Sequence, residues 1–194
     1  MPQLLVTVKQ ARWRKPSPAF VQQGDVPSDC LGDLKTTGHC LSVWVIEDDK
    51  SNLERVVTAL AANRPNIDVI DYLLFDEIVI SQGGFKVRQT AGDTPDPVAN
   101  AKWHRDLVDL TGRTLVELAS AIHQNSPPAT RCLPKKVKQL VKESVERNEV
   151  DPKKLKAGVA SELKLDPSLS MRIKRLLRDI QDSSATSWRR FRQG

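Results

Sequence analysis

The sequence predicts an α+β or α/β fold, in which a small mixed sheet with two packed helices is followed by a basic three-helix C-terminal module. Apolar runs typical of strands, and a segment with apolar residues at helical spacing, predict the sheet and its helices. Charge predicts the module, because residues 1–126 carry 13 Lys and Arg against 16 Asp and Glu, whereas residues 127–194 carry 17 against 8. We therefore expect an acidic domain (1–126), a basic helical module (127–182) and a basic, aromatic tail (183–194).

The first half of the acidic domain predicts a strand, a long loop and a strand–helix–strand unit. Three strands are predicted, over residues 4–8, 41–46 and 67–74. The loop over residues 9–39 has no clear period. Ser51 and Glu54 form a capping-box pattern at the start of a helix, and its apolar face is made by Leu53, Val56, Val57, Leu60 and Ala61. If the second and third strands join one sheet, they pack in parallel with a right-handed crossover.

The second half of this domain predicts a hairpin and a long helix. Residues 77–81 and 85–88 flank Gly83 and Gly84, which supply the positive φ angles of a tight turn. A turn-rich segment follows, and then a helix to about His123. Its apolar stripe continues across a glycine and consists of Leu107, Leu110, Leu115, Leu118 and Ile122.

Clusters of acidic residues and cysteines leave catalytic and metal sites open as alternatives. The segment 45–53 resembles the opening of a response-regulator receiver domain, which implies carboxylates that hold Mg²⁺. An alternative to a non-enzymatic function is therefore Mg²⁺-dependent phosphoryl transfer or nuclease cleavage at Asp48 and Asp49. A second carboxylate set for a nuclease is Asp68, Asp71, Asp76 and Glu77, with Lys86. A tetrahedral zinc site would use Cys30, His39, Cys40 and Cys132. Because the sequence has no Gly-rich phosphate loop, nucleophile elbow or zinc-protease motif, a non-enzymatic protein without cofactor or metal is favoured.

The basic module predicts three amphipathic helices after Pro127 and Pro128. The first runs from Pro134 to about Arg147, and the others begin at the Asp-Pro pairs of residues 151–152 and 166–167. The run 159–168 is similar to a helix-turn-helix, with Lys164 where the turn usually has glycine. That resemblance implies that the second helix enters the major groove. Its contacts to bases and phosphates would come from Arg172, Lys174, Arg175 and Arg178.

The tail combines arginines with aromatic rings, as nucleic-acid-binding arms do. Its predicted contact residues are Trp188, Arg189, Arg190, Phe191 and Arg192. The same composition suits docking into a protein groove, and a third possibility is that the two aromatic rings fold back onto the helices.

Together these features predict a non-enzymatic nucleic-acid-binding or adaptor protein, with DNA favoured over RNA as the ligand. The acidic domain would bind a partner protein or associate with itself as a homo-oligomer. The alternative to nucleic-acid binding is a subunit of a multiprotein assembly that docks through its basic C-terminal part. No apolar run approaches the roughly 18 residues of a membrane span, and the N-terminus lacks a secretory signal pattern. We therefore expect a cytoplasmic location and no membrane partner.

Overall fold

A six-stranded sheet, in which every pair of neighbouring strands is antiparallel, forms the centre of the α+β fold. The computed structural model describes residues 2–22 and 24–164. The strands are β1 (Gln3–Val8), β2 (Leu41–Ile46), β3 (Ile70–Asp76), β4 (Lys86–Gln89), β5 (His104–Val108) and β6 (Thr130–Cys132), in the order β4-β5-β2-β1-β3-β6. The prediction of a mixed sheet is wrong in this respect: β2 and β3 run in the same direction, but β1 lies between them and is antiparallel to both.

Helices cover both faces of the sheet. They are α1 (Ser28–Leu31), α2 (Leu53–Ala62), α3 (Ile78–Gln82), α4 (Pro97–Lys102), α5 (Gly112–Asn125), α6 (Pro134–Glu146) and α7 (Ala157–Glu162), with a 3₁₀-helix at Pro152–Lys154. Successive residues of a strand point to opposite faces. Accordingly, Leu4 and Val6 pack in one hydrophobic cluster with α5, whereas Leu5 packs in another with α2 and α6. We call the side of the sheet that packs with α5 the α5 face, and the side that packs with α2 and α6 the α2 face.

The start of α2 differs from the predicted capping box. The N-cap residue is Asn52, which makes no side-chain capping bond. Ser51 instead donates its hydroxyl to Glu47 Oε2 at 2.7 Å. Asn52 is buried and bridges the turn, since its Oδ1 accepts from the Glu47 N–H at 2.9 Å and its Nδ2 donates to the Val45 carbonyl at 2.9 Å. Asparagine therefore closes the turn before the helix, and the predicted Ser51–Glu54 box is not formed.

Two predictions about residues 77–123 are wrong. The segment predicted as the first strand of a hairpin is helix α3, because Val79 and Ile80 turn into the core on the α5 face. The predicted long helix is interrupted by β5, which pairs with both β2 and β4. Asp109 then adopts a φ of 59° and Thr111 caps α5 through the N–H of Thr114, so a new helix begins at Gly112.

Residues on both sides of Pro127 and Pro128 share the same sheet and core. Strand β6 pairs with β3, and Val137 and Val141 of α6 join the cluster of the α2 face. The helix predicted from residue 151 is a 3₁₀-helix capped by Asp151, followed by α7, while the helix predicted from residue 166 lies outside the described residues. The division into three domains stays a prediction. Across the described part of the chain, no helix combines the length and apolar character needed to span a membrane.

Candidate nucleic-acid interface

All nine residues predicted to contact nucleic acid lie outside the described residues. They are Arg172, Lys174, Arg175, Arg178, Trp188, Arg189, Arg190, Phe191 and Arg192. Their role stays a prediction. The described part of the predicted helix-turn-helix is α7 and the turn after it, where Lys164 has a φ of 53°. Lys164 therefore has the left-handed conformation that glycine usually provides just after a helix.

Helix α7 is anchored to the loop between α2 and β3. Val159 and Leu163 are buried in the cluster of the α2 face, and the backbone N–H of Ile67 donates to Glu162 Oε1 at 3.1 Å. A Cβ atom added to Gly158 would overlap the carbonyl oxygen of Pro65 and the side chain of Asn66. Glycine at this position therefore allows the helix to approach the loop closely.

A second basic surface, which the sequence reasoning missed, lies where β1 ends. Two open cavities of about 270 and 410 Å³ are found there. The smaller, which we call the Arg64 cavity, is lined by Thr7, Val8, Lys9, Arg12, Gly32, Asp33, Lys35 and Arg64. The larger, the Trp13 cavity, is lined by Gln10, Ala11, Trp13, Arg14, Lys15, Pro16, Pro128, Ala129 and Arg131. Seven Lys and Arg residues and one Asp thus line the pair.

A tight turn after β1 separates the two cavities. The N–H of Arg12 donates to the Lys9 carbonyl at 2.9 Å, and the N–H of Trp13 donates to the Gln10 carbonyl at 3.2 Å. Because of this turn, Lys9 and Arg12 line the Arg64 cavity, whereas Gln10, Ala11 and Trp13 line the other. One short segment therefore contributes side chains to both recesses.

Asp33 fixes the conformation of this turn from a neighbouring loop. Its carboxylate accepts from the Lys9 N–H at 2.9 Å, from Arg12 Nη1 at 2.8 Å and from the Trp13 indole N–H at 3.0 Å. The Asp33 side chain is only 5% exposed, and Trp13 is 1% exposed. A buried carboxylate with three donors is well satisfied, so Asp33 holds the backbone of the turn and the Arg12 guanidinium in place.

Asp71 fixes the turn from the sheet. This residue of β3 accepts from the N–H of Gln10 at 2.8 Å and forms a bidentate pair with Arg131 of β6, at 2.8 and 2.9 Å. The hydrogen bonds from Arg131 lower the pKa of Asp71, although burial opposes this shift. Asp71 therefore balances the charge of Arg131 and also fixes the position of the Arg131 side chain, which lines the Trp13 cavity.

The connector between α5 and β6 forms the other side of the Trp13 cavity. Gln10 Nε2 donates to the Ala129 carbonyl at 2.9 Å, and Lys15 Nζ donates to the Ser126 carbonyl. The ring of His123 lies 6.0 Å from that of Trp13, centroid to centroid. Burial, together with the charge of Lys15, lowers the pKa of His123, which favours the neutral imidazole beside these cations.

Most of the positive charge around the cavities is not neutralised by a nearby carboxylate. Within the described residues, no ion pair of 4.0 Å or less involves Lys9, Arg14, Lys15, Lys35 or Arg64. Burial lowers the pKa of Arg64, while the more weakly acting charges of Asp68 and Asp71 oppose that shift. A concave surface with unpaired cations attracts anions, because low-dielectric walls focus the field into the recess.

Three carboxylates of the alternative metal-dependent activities, those of Asp49, Asp71 and Asp76, make contacts outside the proposed metal sites. Asp49 accepts from the Ser51 N–H at 2.9 Å, and this hydrogen bond lowers the pKa of Asp49. Asp76 accepts from Gln3 Nε2 at 3.0 Å, and Lys86 pairs with Asp109 at 2.8 Å. Across residues 2–22 and 24–164, no three His, Cys, Asp or Glu side chains are grouped as metal ligands. The four predicted zinc ligands are therefore not brought together.

His104 contacts the polar side chain of Thr90, which follows β4. Its Nδ1 lies 2.9 Å from Thr90 Oγ1, and the Thr90 hydroxyl donates to Asp106 Oδ2 at 2.8 Å. Ser42 also donates to Asp106, at 3.1 Å. Since both hydroxyls donate to the carboxylate, neither is activated by the histidine as a nucleophile would be. This cluster links β2 and β5 to the residue after β4.

Comparison of the chain with protein-family models, with curated proteins and with solved structures returned no match. The function is therefore inferred from the geometry and charge of the described residues. One local signal for the basic surface was present in the sequence: residues 9–15 contain four Lys and Arg around Trp13. Short segments rich in Lys and Arg are typical of nucleic-acid contacts.

Proposed function

We propose that the protein binds nucleic acid through the two basic cavities at the end of β1, with residues 165–194 as a second contact region. The observation that carries this proposal is the set of seven Lys and Arg side chains that line the cavities. Phosphate groups are the anions that such clustered cations bind in proteins, and their neutralisation releases counterions. We also propose a non-enzymatic role, because Asp49, Asp71 and Asp76 are engaged in a turn, an ion pair and a side-chain hydrogen bond.

Two features support a binding surface over an ordinary solvated basic face. The backbone of the turn and the side chain of Arg12 are held by Asp33, and Arg131 is held by Asp71. Ordering long side chains before binding reduces the entropy lost on association. The surface is also concave, so several cations face one ligand.

The test is fluorescence anisotropy of labelled oligonucleotides with the full-length protein, over a salt series from about 50 to 200 mM. The double variant Lys9→Gln/Lys35→Gln removes two exposed cations of the Arg64 cavity. The matched control, Lys50→Gln/Lys102→Gln, makes the same charge change at two exposed lysines that line neither cavity. For a single strand, losing two phosphate contacts should reduce the slope of log K against log salt by about 1.4.

The outcomes separate the surface from its alternatives. A weaker, less salt-dependent complex for Lys9→Gln/Lys35→Gln, with the control unchanged, supports the proposal. An effect confined to the full-length variant Arg172→Gln/Arg175→Gln/Arg189→Gln would assign binding to the C-terminal region alone. If the unmodified protein binds no oligonucleotide at low salt, nucleic-acid binding is wrong, and capture of a partner protein that persists in high salt would support a docking subunit.

A further inference from the structure

We infer that the ligand is single-stranded nucleic acid, with a phosphate in the Arg64 cavity and the adjoining base in the Trp13 cavity. This inference rests on the proposed function and adds the ligand class. The two cavities differ in chemistry although one turn separates them. The smaller is lined by four cations, by the Asp33 carboxylate that pairs with one of them, and by Val8 as its apolar side chain. The larger has apolar walls as well as cations.

The Trp13 cavity has the composition of a site for a flat, partly apolar group. Pro16 and Pro128 are exposed at its edge, while Trp13 and Ala129 are buried beneath. Its volume of about 410 Å³ falls within the range of roughly 300 to 1,000 Å³ that is usual for small-molecule sites. Because Trp13 is only 1% exposed, the base would contact the proline rings and the edge of the indole, and would not stack on a free tryptophan.

The Arg64 cavity fits a phosphodiester group. Lys9, Lys35 and Arg64 carry charge there without an ion pair among the described residues, and Arg12 shares its charge with Asp33. Arg64 Nη1 donates to the Val69 carbonyl, which orients the guanidinium at the end of α2. A base can enter the neighbouring recess only when it is unpaired, since the bases of a duplex are stacked inside the helix. A single strand therefore satisfies both cavities at once, and a duplex satisfies only the cationic one.

The first experiment compares four probes of equal length with the full-length protein: oligo(dT), oligo(U), an abasic deoxyribose-phosphate oligomer and an oligo(dA)·oligo(dT) duplex. Because burying the apolar surface of a base against the proline rings is favourable, the better of oligo(dT) and oligo(U) should bind about tenfold more tightly than the abasic oligomer. The ratio of the oligo(dT) and oligo(U) affinities then shows which of these two strands the protein prefers. If the abasic oligomer binds as tightly as oligo(dT) and oligo(U), or the duplex binds more tightly than either, the inference is wrong and the proposed function stands. If no probe binds, both are wrong.

A variant separates the two cavities. Ala11 is exposed and lines the Trp13 cavity, so Ala11→Phe should fill it and reduce oligo(dT) or oligo(U) binding to the level of the abasic oligomer. Binding of the abasic oligomer itself should be almost unchanged, because its phosphates contact the other cavity. The control Ala101→Phe adds the same ring at an exposed position of α4 that lines neither cavity, and should leave all four affinities unchanged. Loss of abasic binding in Ala11→Phe would contradict the assignment of phosphate to the other cavity.

Discussion

Asp33→Ala is the substitution with the largest expected effect on the basic surface. It removes three hydrogen bonds, to the Lys9 N–H, the Arg12 guanidinium and the Trp13 indole. Arg12 is 31% exposed at its side chain and can recover its bond from water, but the Trp13 indole N–H is left buried without an acceptor. Since bonds to a charged group contribute about 1.5 to 3 kcal/mol each and an unsatisfied buried donor costs about 1 to 3 kcal/mol, we expect a loss of about 3 to 5 kcal/mol in the free energy of unfolding.

Urea denaturation followed by tryptophan fluorescence measures this loss. With an m value of about 2 kcal/mol/M, the midpoint should fall by roughly 1.5 to 2.5 M. Glu117→Ala is a suitable control, because the Arg113–Glu117 pair is exposed and spans one helical turn, and such pairs contribute about 0.3 to 0.5 kcal/mol. If Asp33→Ala destabilises no more than Glu117→Ala, Asp33 does not hold the turn and the basic surface is not ordered before binding.

Two further predictions concern the packing of the fold. Asp71 has a lowered pKa in the folded state, so its stabilising contribution is present above the unfolded pKa of about 3.9 and is lost as the pH falls through the folded pKa. Asp71→Asn should therefore flatten the decrease in urea midpoint between about pH 5 and pH 3. An unchanged slope would contradict this prediction. Gly158→Ala should destabilise by on the order of 1 to 3 kcal/mol, although alanine favours helix, because the added Cβ overlaps the Pro65 carbonyl oxygen. In the control Gly112→Ala the added Cβ meets no atom within 4 Å, so this variant should be neutral or stabilising in the same denaturation series. Equal effects of Gly158→Ala and Gly112→Ala would show that α7 does not dock as described.

Local patterns predicted the elements whose own residues determine them. The strand at residues 4–8 and the helix from Leu53 were predicted because a β-prone apolar run and helical spacing are clear there. The strand β5 was missed because Leu107 and Leu110 fit a helical stripe, while the strand is stabilised by pairing with β2 and β4 from elsewhere in the chain. Helix α3 was missed because its β-branched residues favour a strand in isolation, and burial of Val79 and Ile80 determines its conformation.

The candidate surface was even less accessible to local reasoning. Its turn is fixed by Asp33 and Asp71, which lie 24 and 61 residues from the backbone N–H groups that they accept, those of Lys9 and Gln10. Neither contact has a local signature. The overall charge also pointed elsewhere, since residues 1–126 carry 16 acidic against 13 basic side chains. Acidic residues on other parts of that region concealed a basic cluster that only the fold brings together.

The most direct test of the central claim is a titration of ¹⁵N-labelled full-length protein with oligo(dT), followed through its tryptophan indole N–H signals. The chain has four tryptophans, and Trp→Phe substitution assigns each signal. Trp13 lines the larger cavity and donates its indole N–H to Asp33, whereas Trp44 and Trp103 pack on the α2 face. We predict that the Trp13 signal shifts at saturable concentrations and that those of Trp44 and Trp103 do not. A shift of the Trp188 signal alone, or of none of the four, would contradict binding at the end of β1.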